Sequence, residues 1–191
     1  MQADLDRVRN LLSGAAFNLA EARIAHGLLR WKAEADYDTI RRAVANEQWD
    51  VFETSAIDAC LRSVVTALDL GAAALFRLGG LQPGRSETDL GRWDREVASK
   101  RLRLPVFLTR WAELRNSPEY RELRERRNEA THRTREVAAD VGASAAVSID
   151  YGGVSRPVLK LSEEIAGYGR RKFHELCNAI LDWGPETPVG L

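Results

Sequence analysis

AIDACLRSVVTALDLGAAALFRLGGL, residues 56–81, is the most apolar stretch of the chain. Its apolar side chains recur at helical spacing, and the charged residues within it are Asp58, Arg62, Asp69 and Arg77. A helix that is apolar on nearly every side is buried. The stretch therefore predicts a helix at the centre of the core, which ends where Gly79-Gly80 favours a turn.

Helical periodicity extends over most of the remaining chain. Residues 5–31 carry apolar side chains three and four positions apart, which predicts a long amphipathic helix. A shorter helix is expected near residues 37–45, and Asp50 followed by Glu53 resembles a capping box before the central helix. The positions of the first helix that are expected to face inward are Leu5, Val8, Leu12, Ala15, Ala16, Leu19, Ala22, Ala25 and Leu29.

Ser117-Pro118-Glu119 is the clearest helix start in the sequence. It combines a hydroxyl cap, a proline at the first helical position and an acid near the positive end of the helix dipole. It predicts a helix from Pro118 to about Ala139. Another helix is expected at about residues 106–115, and a short segment around residues 90–97.

Residues 147–161 have a different pattern. Apolar and polar side chains alternate, residues 152–153 can turn, and residues 158–161 can return, so a small β-hairpin is predicted. Ser162 then predicts the cap of a last helix that runs to about Trp183. The predicted fold is all-α: an antiparallel helical bundle in one domain, residues 1–183, with this hairpin before the last helix and a flexible tail at 184–191.

Composition restricts the classes of protein that fit. A length of 191 residues suits one domain, and 28 basic residues balance 28 acidic ones. The balance is uneven along the chain, because residues 92–135 carry thirteen basic and seven acidic side chains. This cationic region is where a polyanion such as RNA would be attracted. Arginine accounts for 24 of the basic residues.

The sequence carries no signal for secretion, for a membrane span or for several common types of functional site. The start of the chain lacks the basic and apolar regions of a signal peptide, so a cytoplasmic location is expected. No membrane span is expected, since stretches without charge, such as residues 10–20, are shorter than the ~20 residues required. Cys60 and Cys177 are interpreted as buried thiols, with no disulfide or metal site. Glycine-rich phosphate loops and serine nucleophile motifs are missing.

The helix from Pro118 is unusually polar. Across residues 124–136 only Ala130 is apolar, and the apolar line is limited to Leu123, Ala130 and Val137. One interpretation is a solvated face with ion pairs between neighbouring turns. The other begins with Arg127, Asn128 and His132.

These three residues form a set that suits ribonucleolytic transesterification. On a helix His132 lies one turn beyond Asn128 and ~140° of rotation from Arg127. An imidazole can exchange a proton with a ribose 2′-OH or with the leaving 5′-oxygen. A guanidinium can hold the phosphate oxygens as charge builds, and an amide can position either group.

Arg127-Asn128, three further residues and His132 resemble the motif of HEPN domains, in which three to five residues separate an arginine and the polar residue after it from a histidine. HEPN proteins are helical bundles, many of which are ribonucleases and toxins of toxin–antitoxin systems. The match covers residues 124–135, and the likeness in fold would cover most of the chain.

The resemblance implies a metal-independent endoribonuclease without a cofactor, active as a homodimer whose motif residues face a shared cleft. The 2′-OH of RNA would attack, leaving a 2′,3′-cyclic phosphate and a 5′-OH. His132 would be the acid and base, Arg127 the phosphate binder and Asn128 the positioning group. A toxin or phage-defence role and an antitoxin partner are also implied. Candidate contacts to the RNA backbone are Arg124, Arg126, Arg133 and Arg135.

Two alternatives stay open. The first is a catalytically inactive HEPN-like module that binds RNA, a nucleotide or a partner protein. The second is an unrelated bundle with a solvated arginine-rich helix. Some HEPN toxins carry a tyrosine two residues after the histidine, which their antitoxin modifies, and Thr134 stands there in this chain. His26 is expected to be structural or exposed, and His174 to lie on a basic exposed turn.

Overall fold

The computed structural model describes residues 2–34, 47–78, 106–132, 148–151 and 154–181. These residues form five helices and two short strands. In chain order they are α1 (Gln2–Glu34), α2 (Glu47–Leu78), α3 (Val106–Asn116), α4 (Pro118–His132), β1 (Ser148–Tyr151), β2 (Val154–Pro157) and α5 (Val158–Leu181). The helix expected near 37–45, the segment at 90–97, the extension of α4 to 139 and the tail at 184–191 lie outside the described residues.

Helix α2 is the centre of a helical bundle, as its sequence predicts. It packs against α1, α4 and α5, and its apolar residues are buried along most of its length. Val64, Val65 and Leu68 are fully buried, as is Leu75 about two turns further along. The continuous apolar pattern of α2 thus reflects neighbours on several sides.

By length and composition alone, α2 also resembles a membrane-spanning helix. Residues 52–78 are long and apolar enough to cross a membrane, but 78% of the most apolar window is buried inside the protein. The central helix of a bundle has the same length and composition, so the apolar side chains are already accounted for by their contacts with the other helices.

Helix α1 has apolar side chains on two sides, which the predicted inward set does not capture. Leu5 is 50% exposed and Ala16 is also exposed, so both predictions are wrong. The row that meets the core is Val8, Leu11, Ala15, Ala22, Ala25 and Leu29. A second row lies at the surface and consists of Phe17, Ile24, Leu28 and Trp31. Periodicity alone cannot choose between two apolar rows on one helix.

Strands β1 and β2 pair antiparallel, with Ser148 opposite Pro157 and Tyr151 opposite Val154. The return strand predicted at residues 158–161 is wrong, because α5 begins at Val158. A short apolar run fits either structure, and here burial of Val158 and Leu161 against the bundle favours the helix. Ser162 lies inside α5 rather than at its cap, and its hydroxyl donates to the Leu159 carbonyl at 2.7 Å.

The predicted start of α4 is confirmed. The Tyr120 N–H donates to Ser117 Oγ at 3.3 Å, and the Arg121 N–H donates to the Ser117 carbonyl at 3.2 Å. Ser117 Oγ also lies 3.2 Å from the Tyr168 hydroxyl of α5. The cap therefore ends the α3–α4 turn and ties it to the last helix.

Helices α2 and α5 approach each other closely at Gly169. A Cβ atom at this position would lie 2.7 Å from Val64 Cγ1 and 2.9 Å from Val64 Cγ2. Val64 is β-branched and fully buried, so it has little freedom to move. The absence of a side chain at residue 169 allows the two helices to pack at this distance.

We expect Gly169→Ala to lower the free energy of unfolding by about 1–2 kcal/mol, because the overpacking cost exceeds the gain in helix propensity. The matched control is Gly27→Ala on α1, where an added Cβ meets no atom within 4 Å. That variant should be more stable than the wild type by about 0.5–1 kcal/mol. Urea denaturation measures both changes, and a stabilised Gly169→Ala would contradict the close approach.

Candidate functional site

The inner face of α4 is formed by three residues at helical spacing. Tyr120 and Leu123 are buried, and Arg127, seven residues after Tyr120, is 26% exposed at its side chain. The helix packs through this face against α2 and α3. A helix with so few apolar residues gains limited hydrophobic stabilisation, so its polar contacts matter more for its position.

A buried carboxylate on α2 receives this face. Asp69 is 6% exposed, and the Tyr120 hydroxyl donates a hydrogen bond to its Oδ1. Arg127 Nη1 lies 4.0 Å from the other carboxylate oxygen, Oδ2. The guanidinium of Arg124 lies 6.0 Å from the centre of the Tyr120 ring. We call Asp69, Tyr120, Arg124 and Arg127 the carboxylate cluster.

Aromatic contacts hold the tyrosine of this cluster in place. The Tyr120 ring meets the edge of Trp111 with centroids 5.5 Å apart, and Trp111 meets Phe76 in the same manner at 6.4 Å. Edge-to-face pairs of this kind restrict ring orientation. The Tyr120 hydroxyl is therefore directed at Asp69 by packing on α2 and α3.

Burial has the largest effect on the pKa values of Asp69 and Tyr120 in the carboxylate cluster. Burial raises the pKa of Asp69 to about 6, against the opposing influence of the Tyr120 hydrogen bond and of the charges on Arg127 and Arg124. Burial also raises the pKa of Tyr120, and the negative charge of Asp69 raises it further. At neutral pH the tyrosine is a donor, and the carboxylate is mostly ionised and attracts the two guanidinium groups.

The remaining predicted site residues are distributed differently. Asn128 is exposed and Arg126 is half-buried. His132 is the last described residue of α4, and its side chain lies outside what the structure describes, as do Arg133 and Arg135 entirely. On helical geometry, position 132 is ~40° from Asn128 and ~140° from Arg127. Within one protomer, α4 therefore brings Arg127 and Arg124 close to Asp69, and position 132 lies on a different side of the helix.

Sequence reasoning missed two members of the carboxylate cluster. In the sequence Asp69 is one of four charges in the apolar stretch, and Tyr120 is a residue of the polar helix. The available signal was a lone carboxylate in the most apolar helix, since a buried acid requires a partner. Its partner lies 51 residues away, and no spacing rule connects them.

The other histidines and the cysteines are also placed. His26 is half-buried, with Nδ1 2.9 Å from Ser162 Oγ. His174 is exposed, and its Nδ1 accepts a hydrogen bond from the Asn178 amide at 3.1 Å. Cys60 is buried, which raises the pKa of its thiol to about 12, and Cys177 is half-buried. In the described part of the chain no three His, Cys, Asp or Glu side chains form a group that could hold a metal ion.

Comparison of the chain with models of known protein families, with curated proteins and with solved structures finds no match. The functional argument therefore depends on the residues of this chain and on the resemblance in the motif of α4.

The raised pKa of Asp69 makes a pH-dependent contribution to stability. Because the folded-state pKa of about 6 exceeds the ordinary value of 3.8, protonation favours the folded state. The contribution is full below about pH 4 and is lost as pH rises through about 6. A shift of about two pKa units corresponds to about 3 kcal/mol.

Asp69→Asn retains the shape and cannot titrate, so its stability relative to the wild type should increase by about 2–3 kcal/mol from pH 4 to pH 7. The measurement is urea denaturation of both proteins at a series of pH values. A relative stability that falls over this range would mean that the arginines dominate and that the pKa of Asp69 is lowered instead.

Proposed function

We propose that this protein is a metal-independent endoribonuclease of HEPN type that acts as a homodimer. The observation that supports this proposal best is that Nη1 of Arg127, the arginine of the motif, lies 4.0 Å from the buried carboxylate of Asp69 while Asn128 is exposed beside it. A guanidinium held in one orientation binds a phosphate with less loss of entropy than a free one.

The proposed reaction uses RNA and three side chains of the protein. The ribose 2′-oxygen forms a bond to the adjacent phosphorus, and the bond from phosphorus to the 5′-oxygen breaks. His132 takes the proton of the 2′-OH as the base, and the resulting imidazolium gives a proton to the leaving 5′-oxygen as the acid. Arg127 binds the phosphate oxygens as their negative charge increases, and Asn128 positions the substrate. The products are a 2′,3′-cyclic phosphate and a 5′-OH.

The geometry of α4 is the reason for including a second subunit. Positions 127 and 132 lie ~140° apart around the helix and ~7.5 Å apart along it, so one helix presents them in different directions. Two α4 helices side by side would allow Arg127 of one protomer and His132 of its partner to approach the same phosphate. Arg124 and Arg126, with Arg133 and Arg135 beyond the described part of α4, supply contacts to the RNA backbone in this proposal.

We expect the purified protein to cleave single-stranded RNA in excess EDTA and to leave cyclic-phosphate ends. Arg127→Ala and His132→Ala should each lower the cleavage rate by at least 100-fold, because each removes a group that acts on the transition state. The control is Arg9→Ala, an exposed arginine of α1 that lies outside α4.

This control should retain cleavage within a factor of about three, and circular dichroism should show folded protein for all three variants. RNA that stays intact with the wild-type protein, or equal loss of activity with Arg9→Ala, would contradict the proposal.

A second candidate function is a non-catalytic HEPN-like module that binds RNA or a partner protein. It is favoured by the ion pair of Arg127 with Asp69, since this contact holds α4 on α2 whether or not cleavage occurs. In this case the arginine of the motif stabilises the bundle, and His132 is dispensable.

Asp69→Asn separates the two functions. For a nuclease, loss of the carboxylate charge releases Arg127, so kcat should fall about tenfold or more while binding of uncleavable 2′-deoxy-substituted RNA changes little. For a binding module, RNA binding without cleavage should persist in both Asp69→Asn and His132→Ala. If the wild-type protein does not bind RNA, both functions are contradicted, and the chain is a helical bundle unrelated to HEPN proteins.

The toxin role, the cytoplasmic location and an antitoxin partner belong to the same proposal. A toxin should arrest growth when its gene is expressed alone, and His132→Ala should relieve the arrest. Coexpression of the product of a neighbouring gene should also relieve it, if that product is the antitoxin. Equal arrest by the wild type and His132→Ala would contradict a toxic activity based on cleavage.

A further inference from the structure

A cavity of about 450 Å³ lies between α1 and α5 and is separate from the carboxylate cluster. Its apolar part is formed by Leu19 and Ala20 of α1 and by Ala166 of α5. Four polar side chains complete the lining: Arg23, His26, Glu163 and Arg170. The volume is within the range of small-molecule sites, which combine an apolar floor with a few polar groups.

The imidazole of His26 is held in one orientation by a buried hydroxyl. Ser162 Oγ donates its only proton to the Leu159 carbonyl at 2.7 Å, so it must accept from His26 Nδ1 at 2.9 Å. Ser162 is completely buried, which makes this hydrogen bond part of the core. The tautomer that fits this geometry has its N–H at Nδ1 and leaves Nε2 as an acceptor.

The cavity has an excess of positive charge. Arg23 and Arg170 line it from opposite helices, and neither has an ion-pair partner among the described residues. Arg171 lies at the edge, with Nη1 3.5 Å from where a Cβ of Gly167 would be. The acid in the lining, Glu163, acts electrostatically on Arg30, whose pKa is raised chiefly by Glu34 and in smaller part by Glu163.

The geometry points to a binding site for a small phosphorylated sugar or polyol between α1 and α5. Arg23 and Arg170 bind the phosphate from two sides. His26 Nε2 and the Glu163 carboxylate accept hydrogen bonds from hydroxyl groups, and the carbon skeleton lies on Leu19 and Ala20. The site uses none of the residues assigned to RNA cleavage and does not depend on the proposed function.

Isothermal titration calorimetry with ribose 5-phosphate and glucose 6-phosphate tests the site. At least one of them should bind with one molecule per chain and at least tenfold more tightly than inorganic phosphate or the unphosphorylated sugar. Stronger binding by inorganic phosphate would mean that the hydroxyl acceptors play no part. No binding by either sugar phosphate would overturn the proposal.

Variants of Arg23 and Arg170 test whether these two charges bind the phosphate group. Arg23→Ala and Arg170→Ala should each weaken the bound sugar phosphate about tenfold or more, because each loses a charged hydrogen bond. Arg9→Ala, another exposed arginine of α1 that lies about 20 Å from Arg23 along the helix, should bind as the wild type does. Equal affinity in all of these variants would overturn the proposal.

Filling the cavity provides an independent test. A Cβ at Gly167 meets only ordinary contacts, so Gly167→Leu should fold and place its side chain in the cavity. Binding should be lost in this variant and retained in Gly27→Leu, where the added side chain has open space. His132→Ala should bind the sugar phosphate normally, so a failure of the ribonuclease proposal and a failure of this one are distinguishable.

Discussion

The contact between the buried carboxylate of Asp69 and helix α4 attaches this polar helix to α2, the most apolar helix of the bundle. An ionised acid inside a bundle is unfavourable unless it is hydrogen-bonded and faces a positive charge. Here Tyr120 donates the hydrogen bond, and Arg127 and Arg124 supply the charge. Since α4 has little apolar surface of its own, this contact and the Ser117 cap fix its position on the bundle.

The same contact is physically compatible with the phosphate-binding role that is proposed for the motif arginine. Arg127 satisfies a charge in the core and is partly exposed at the edge of α4. A guanidinium has five N–H donors in a planar arrangement, so contact with one carboxylate oxygen and contact with a phosphate require different edges of the group. In the proposed nuclease, Asp69 would act on the phosphate only through Arg127 and would therefore be a positioning residue rather than a catalytic one.

Features that depend on local sequence were predictable, and those that depend on long-range pairing were not. The continuous apolar run of α2 and the Ser117-Pro118 start of α4 each carry their signal within a few residues. The inward row of α1 was ambiguous because two rows are apolar, and residues 158–161 fit a strand as well as a helix. The pairing of Asp69 with Tyr120 and Arg127 left no pattern that a spacing rule detects.

Helix α4 also explains why its sequence admitted two interpretations. A helix that is only solvated would expose all its charges, whereas Arg127 is mostly covered and Arg124 lies near the Tyr120 ring. A helix that is only structural would have no need of the polar side on which Arg121, Glu125 and Asn128 are exposed. Both sides are present, and position 132 falls on the exposed one. The inner side therefore attaches the helix and orients the arginine, and the outer side is the surface on which RNA or a second subunit would have to meet it.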